Sequence, residues 1–266
     1  LLAAHGVTSG AAGDTGALGD RLRQAVLDAP ADDQRRAVYA DWLVEQGDAR
    51  GEFMSNQLAG HALEPDSKLA LAWAGDVGTE LRWRPRFKAD AAFHIPRYRR
   101  GFLAGALISG FQGGAAASRD WATLEVIDLE SSSVAAMARI ADYDLRSLLV
   151  LGGLHDRQLT ALAAHRPLAE QLEGLGVGAS RPGPEVWDQL LAFPRLRVLA
   201  VSARGSLTSF YEHPIARQLE FLVVPRGSKV PASLKAQVVR PSENLLVERW
   251  LPHFDRLTEV LSSKRG

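Results

Sequence analysis

The sequence predicts an α/β protein in two unequal parts, an N-terminal α-helical unit followed by a short stack of strand-and-helix repeats with a parallel sheet. Three observations carry this expectation. A pattern of the form Leu-x-x-aliphatic-x-aliphatic returns five times, at Leu124/Ile127/Leu129, Leu145/Leu148/Val150, Leu172/Leu175/Val177, Leu196/Leu199/Val201 and Leu219/Leu222/Val224. Its starts lie 21, 27, 24 and 23 residues apart, and a recurrence at that period marks stacked units rather than one closed core. Ahead of the pattern, apolar residues recur at helical spacing instead.

Within each copy the last two apolar residues are two apart, so they share one face of a short strand. A strand, a turn and a returning helix per unit put a parallel sheet on the concave side and helices on the convex side. The expected architecture is therefore a short leucine-rich-repeat-like solenoid. It departs from the usual consensus eight residues after each first leucine, where Asn is replaced by Ser132, Gly153, Ser180, Arg204 and Gly227.

In chain order, residues 1–14 are rich in Gly, Ala and Ser and form a flexible N-terminus. A first helix is expected from Thr15 to Leu27, with Leu18, Leu22, Val26 and Leu27 on one face and Pro30 closing it. Asp32 or Asp33 caps a second helix carrying Val38, Trp42 and Leu43, and Gly47 ends it in a left-handed turn. A third helix starts near Arg50 and a fourth spans Ser67 to Trp83. Leu103/Ala106/Ile108 fits the strand template and adds a sixth coil. Helical pieces are expected at Val134 to Tyr143, Asp156 to His165, Glu185 to Phe193 and Phe210 to Arg217, and a further strand from Leu234 to Val239 covers the sheet edge. Residues 242–266 form a C-terminal helical cap with Phe254, Leu257, Val260 and Leu261 on one face. The domain reading is thus 15–102 helical, 103–241 repeats and 242–266 cap.

The stretch from Val38 to Phe53 contains Tyr39-Ala40-Asp41-Trp42-Leu43, then Glu45, Gly47-Asp48, Arg50 and Glu52-Phe53. It resembles the short bacterial repeat-companion domain, in which these elements follow at these spacings, and Arg100-Gly101-Phe102 resembles the Arg-Gly-Phe that closes that unit. The resemblance covers about Leu18 to Phe102. It implies a helical domain that precedes leucine-rich repeats, and it supplies no catalytic residues.

The charge balance excludes a whole-molecule pull toward polyanions: 31 Lys+Arg offset 31 Asp+Glu. With no cysteine there is no disulfide, thiolate nucleophile or Cys-based zinc site, which fits a cytoplasmic protein. No apolar run reaches the roughly 18 to 20 residues needed to span a bilayer, so no membrane partner is expected. Leu1 to Gly19 lacks the basic start and apolar run of a signal peptide, and a first residue other than Met leaves room for an upstream segment.

No catalytic, cofactor or metal residues are assigned, and no cofactor is called for. The seven histidines never occur at zinc-ligand spacing. Asp41 and Glu45, one helical turn apart, have the spacing of an acid/base pair, but no further ligand joins them and a solvated helix face explains them. On the concave face the solvent-facing positions are Glu125, Asp128, Arg146, Glu173, Arg197, Glu220 and Phe221, which make the expected surface for a protein partner, within a larger complex or alone. The alternative is nucleic-acid binding through Arg82, Arg84, Arg86, Lys88, Arg97, Arg99 and Arg100, interleaved with Trp83, Phe87, Phe93 and Tyr98 as single-strand binding requires. A junction between the two parts explains the same stretch by packing. The leading expectation is a non-enzymatic protein-interaction or scaffolding module.

Overall fold

A computed structural model describes residues 10–60, 93–108, 119–129, 137–179, 183–203, 207–240 and 261. The chain divides into two compact units, Leu1–Arg84 with Tyr98–Phe102, and Pro85–Arg97 with Leu103–Gly266. The expected helix from Ser67 to Trp83 and most of the C-terminal cap lie outside the described residues.

In the first unit, helices α1 (Gly10–Asp28), α2 (Asp33–Glu45) and α3 (Ala49–Leu58) follow one another through tight turns. α1 begins earlier than the apolar spacing indicates. The Asp32 side chain accepts from the amides of Gln34 and Arg35 and so supplies two of the bonds that the first turn of α2 lacks. At the other end Gly47 takes φ 71°, its amide reaches the Val44 carbonyl, and the Asp48 amide reaches that of Leu43, both at 2.9 Å. This pair of bonds is a Schellman ending, which favours glycine because a Cβ crowds the left-handed conformation. Asp48 then caps α3 by accepting from Arg50 N. α2 and α3 cross closely at Gly51, where a Cβ would stand 2.6 Å from the Ala40 carbonyl and the Val44 nitrogen. Val26, Leu27, Tyr39, Ala40, Leu43, Met54 and Phe102 make the core of this unit, and Trp42 lies parallel to Tyr39 with ring centroids 6.0 Å apart.

The second unit is a mixed α/β arrangement around an open eight-stranded sheet whose strands follow chain order. They are β1 (Phe93–Arg99), β2 (Phe102–Ile108), β3 (Val126–Leu129), β4 (Val150–His155), β5 (Gly174–Ala179), β6 (Val198–Ala203), β7 (Phe221–Val223) and β8 (Gln237–Val239). β2 to β8 are parallel throughout. β1 and β2 form a hairpin through Arg100 and Gly101, whose φ of 51° and 74° are those of the two-residue turn that suits the right-handed strand twist. The sequence signals for β1 are weak, and it is not among the expected strands.

Between strands come α4 (Asp156–Ala163), α5 (Arg166–Gln171), α6 (Pro184–Gln189), α7 (Thr208–Glu212) and α8 (Ile215–Gln218). Pro184 stands in the first turn of α6, where its missing N–H costs nothing. The helix expected from Phe210 to Arg217 is two helices, because Pro214 interrupts it. Of that expected from Val134 to Tyr143, residues 134–136 lie outside the described residues, Met137 is helical, and a short 3-10 turn follows at Ile140–Asp142.

The strand register corrects the phase of the second repeat. Val126 pairs with Val150 and Ile127 with Leu151, so the equivalent leucines are Leu124, Leu148, Leu172, Leu196 and Leu219, spaced by 24, 24, 24 and 23 residues. The second copy is therefore Leu148/Leu151/Leu154 and not Leu145/Leu148/Val150. The cause is an extra residue in β4: Leu151 pairs with Leu175 but Leu154 with Val177. Such a bulge adds one residue to the strand. Gly153 carries it at φ 72°, and a Cβ there would overlap the Leu129 carbonyl. The bulge stretches the spacing of the last two leucines from two to three and hides the repeat. With the phase corrected, the position eight after the first leucine is Asp156, not Gly153. All fifteen repeat positions, from Leu124 to Val224, are at most 3% exposed, each full burial of a large aliphatic contributing about 1.5–3 kcal/mol.

Candidate interaction surface

The residue before each repeat strand sits at one level of the sheet. Glu125 N donates to Ala104 O, Leu149 N to Glu125 O, Glu173 N to Leu149 O, Arg197 N to Glu173 O and Glu220 N to Arg197 O, every bond being 2.8 Å; Gln237, the first residue of β8, is level with Phe221 and lies outside the row. Side chains from far-apart stretches of sequence are thereby set in a row at strand spacing, about 4.8 Å.

Within that row Arg197 bridges its two neighbours. Its Nη1 lies 3.0 Å from Glu173 Oε2 and its Nη2 lies 2.9 Å from Glu220 Oε2. The Arg197 side chain is 19% exposed, that of Glu173 11% and that of Glu220 32%, so the pairs are sheltered at one end and wet at the other. The hydrogen bond to Glu220 holds the Arg197 pKa above the ordinary arginine value, against the opposing effect of burial. The guanidinium fork suits this bridging, since it presents separate N–H donors to two carboxylates. Two carboxylates and one guanidinium leave the trio with one net negative charge.

The other expected partner residues divide. Glu125 occupies the row and is half-buried. Arg146 is exposed but lies three residues before the row and pairs with Asp144 at 2.6 Å; the phase correction gives its place to Leu149. Asp128 and Phe221, read from sequence as solvent-facing, are 0% and 1% exposed. Phe221 belongs to an apolar cluster with Val126, Val150, Val198, Ala200 and Val223, on the face that the repeat pattern assigned to solvent. That assignment is therefore corrected: the face is apolar and buried, as a parallel sheet demands of both faces.

Of the nucleic-acid alternative, Arg82, Arg84, Arg86 and Lys88 lie outside the described residues, and only the backbone of Arg97 is described. Arg99 is half-buried, and Arg100 pairs with Asp33 at 3.0 Å. Asp41 and Glu45 are both exposed on α2. Among the described residues no group of three or more His, Asp or Glu is placed to hold a metal ion, and no helix is long and apolar enough to cross a membrane.

The Tyr39-to-Phe53 motif has a structural purpose that spacing alone does not reveal. Arg50 Nε and Nη2 donate to the Gly101 carbonyl at 3.0 and 2.9 Å. Arg36 Nη1 donates to the Arg100 carbonyl at 3.1 Å, while its Nε and Nη2 reach Pro30 O. Gln57 accepts from Gly101 N at 2.8 Å. Both guanidinium groups lie over the Phe102 ring, 4.9 Å away for Arg36 and 4.7 Å for Arg50. Desolvation lowers the Arg50 pKa from the ordinary arginine value, opposed by the nearby Tyr39 and Asp48. The Arg-Gly-Phe turn is thus read by the helices through its backbone, and it requires Gly101 because a Cβ would overlap Met54.

Comparisons with protein families, curated proteins and solved structures found no match.

Proposed function

We propose that this chain is a non-enzymatic protein-interaction or scaffolding module of the cytoplasm, a leucine-rich-repeat-like solenoid preceded by a helical domain of the repeat-companion type. The observation that carries this reading is the row Glu125, Leu149, Glu173, Arg197 and Glu220, fixed by five equal backbone bonds. Within it the alternating charges of Glu173, Arg197 and Glu220 offer a macromolecular partner complementary charges at strand spacing, which gives specificity and orientation. The partner engages the row and not the adjoining apolar face, and the chain acts alone or as a positional subunit of a larger assembly.

A full charge swap tests this. Glu173→Lys, Arg197→Glu and Glu220→Lys together keep the trio mutually paired but invert the charge presented outward. A partner captured by the native chain and by an Asp41→Lys control is expected to be lost by the swapped chain. Retention of every captured chain by the swapped protein would refute the reading.

A further inference from the structure

Positive and negative charges balance over the whole chain, but they are not evenly spread. Residues 225–240, which span the loop after β7, then β8 and one residue beyond it, hold Arg226, Lys229, Lys235 and Arg240 and no Asp or Glu. All four cations are exposed. A like-charged surface with no acid of its own raises the local concentration of anions. The row at Glu125, Glu173, Arg197 and Glu220 has the opposite excess, so the two surfaces suit different ligands.

The cationic loop is held in shape by its own backbone. Ser228 N donates to Pro225 O and Leu234 N to Pro231 O, both at 3.1 Å, and Gly227 takes φ 87° at the third position of the first turn, where only glycine is at ease. Between this loop and α7 lies a cavity of about 350 Å³, a size that suits a small molecule. From α7 come Thr208, Tyr211 and Glu212, and from the loop Lys229 and Ser233. The Tyr211 hydroxyl is sealed inside the fold. The polar side-chain groups offered to a ligand are therefore the Lys229 ammonium, the Thr208 and Ser233 hydroxyls and the Glu212 carboxylate. Among the described residues neither Lys229 nor Glu212 has an ion-pair partner, so the ammonium is not neutralised by its neighbour.

From these placements we infer that the cavity between α7 and the loop after β7 is a binding site for the phosphate group of a small ligand, with Lys229 supplying the charge and Thr208 and Ser233 the hydroxyl donors. A compact ammonium with rotatable hydroxyls beside it matches an oxyanion whose oxygens point in several directions. A planar carboxylate is better met by the fork of an arginine, and no arginine lines the cavity. Arg240 acts on the Tyr211 hydroxyl and so adds positive potential beside the site. Glu212 opposes the bound charge and limits affinity. The inference does not rest on the charged row being a binding site.

Calorimetric titration of the full chain with inorganic phosphate and with methyl phosphate, in chloride buffer of fixed ionic strength, tests this. Saturable one-to-one binding is expected. Lys229→Gln should weaken it about tenfold through loss of a charge-assisted bond, and Ser233→Ala about threefold through loss of a neutral one. Glu212→Gln should tighten it about threefold, since it removes a like charge. Lys235→Gln, on the same loop but outside the cavity, is the control and should change it less than about twofold. All four positions are exposed, so these variants leave the core untouched. Tighter binding of methyl phosphate marks a phosphate monoester as the source of the group, and tighter binding of inorganic phosphate marks the free ion; either supports the site. No saturable binding of either ligand overturns it. Equal weakening by Lys229→Gln and Lys235→Gln overturns it too, because the loop is then only a diffuse positive surface.

Discussion

Arg50 grips the carbonyl of Gly101 with two guanidinium nitrogens, at 3.0 and 2.9 Å, across 51 residues of sequence. The same group covers the ring of Phe102, so one side chain satisfies a turn carbonyl and packs the residue after it. Arg50→Ala is expected to cost about 2–3 kcal/mol, combining a charge-assisted bond with a cation–π contact. Arg50→Lys should recover less than half of that, since an ammonium cannot bond through two nitrogens and stack at once. Urea unfolding of the native chain and both variants checks the order, and a lysine variant as stable as the native chain would contradict it.

Positive-φ glycines should not be equally costly to replace. At Gly153 a Cβ meets the Leu129 backbone carbonyl, which cannot rotate away, whereas at Gly227, with φ 87°, nothing stands within 4 Å. Gly227→Ala is expected to lose about 1–2 kcal/mol from the left-handed conformation alone. Gly153→Ala should lose distinctly more, about 3 kcal/mol or above, because strain and overlap combine. Similar midpoints for the two variants in chemical denaturation would argue against the bulge.

Arg197 is bonded to two glutamates in partial shelter. Arg197→Ala leaves both without it and is expected to cost about 1–3 kcal/mol. The triple change Glu173→Gln, Arg197→Met, Glu220→Gln removes the charges together and should regain most of that loss. Denaturant midpoints across this series decide the matter; a triple variant weaker than Arg197→Ala goes the wrong way.

Tyr211 has a buried hydroxyl with no hydrogen-bond partner among the described residues, beside an open cavity of about 350 Å³ lined by Thr208, Glu212, Lys229 and Ser233. An unsatisfied buried hydroxyl is a cost, so Tyr211→Phe is expected to stabilise by up to about 1 kcal/mol. Burial raises the Tyr211 pKa above 10.0, with Arg240 opposing. The folded state thus keeps its proton where the unfolded chain has lost it, so stability falls as pH rises above about 10. Tyr211→Phe should flatten that alkaline fall, which unfolding curves at increasing pH will register.

Asp48 both follows the Schellman turn of α2 and caps α3. Asp48→Ala is expected to cost about 1 kcal/mol and Asp48→Asn much less, since Asn caps nearly as well. Faster hydrogen exchange at the start of α3 in the Ala variant alone would locate the effect.

Much of the fold was legible because periodicity is a local property. The spacing of Leu172/Leu175/Val177 and Leu196/Leu199/Val201 marks strands wherever they pack, and Asp32, Gly47 and Pro184 signal helix ends through bonds and φ values made within a few residues. The second repeat failed on one residue. The bulge at Gly153 moved Leu154 out of a spacing of two, and Leu145/Leu148/Val150 fitted the template better than the true set, carrying Arg146 into the expected surface in place of Leu149.

The sequence alone determined that a strand-bearing pattern recurs five times and that helices precede it, because each pattern arises from the geometry of its own segment. Tertiary structure decided that Arg197 lies between Glu173 and Glu220, that Asp128 and Phe221 are buried, and that Arg36 and Arg50 serve a turn at Arg100 and Gly101. Those relations join residues 23 to 64 positions apart, and they depend on strand register and tertiary packing, which no single window of the chain encodes.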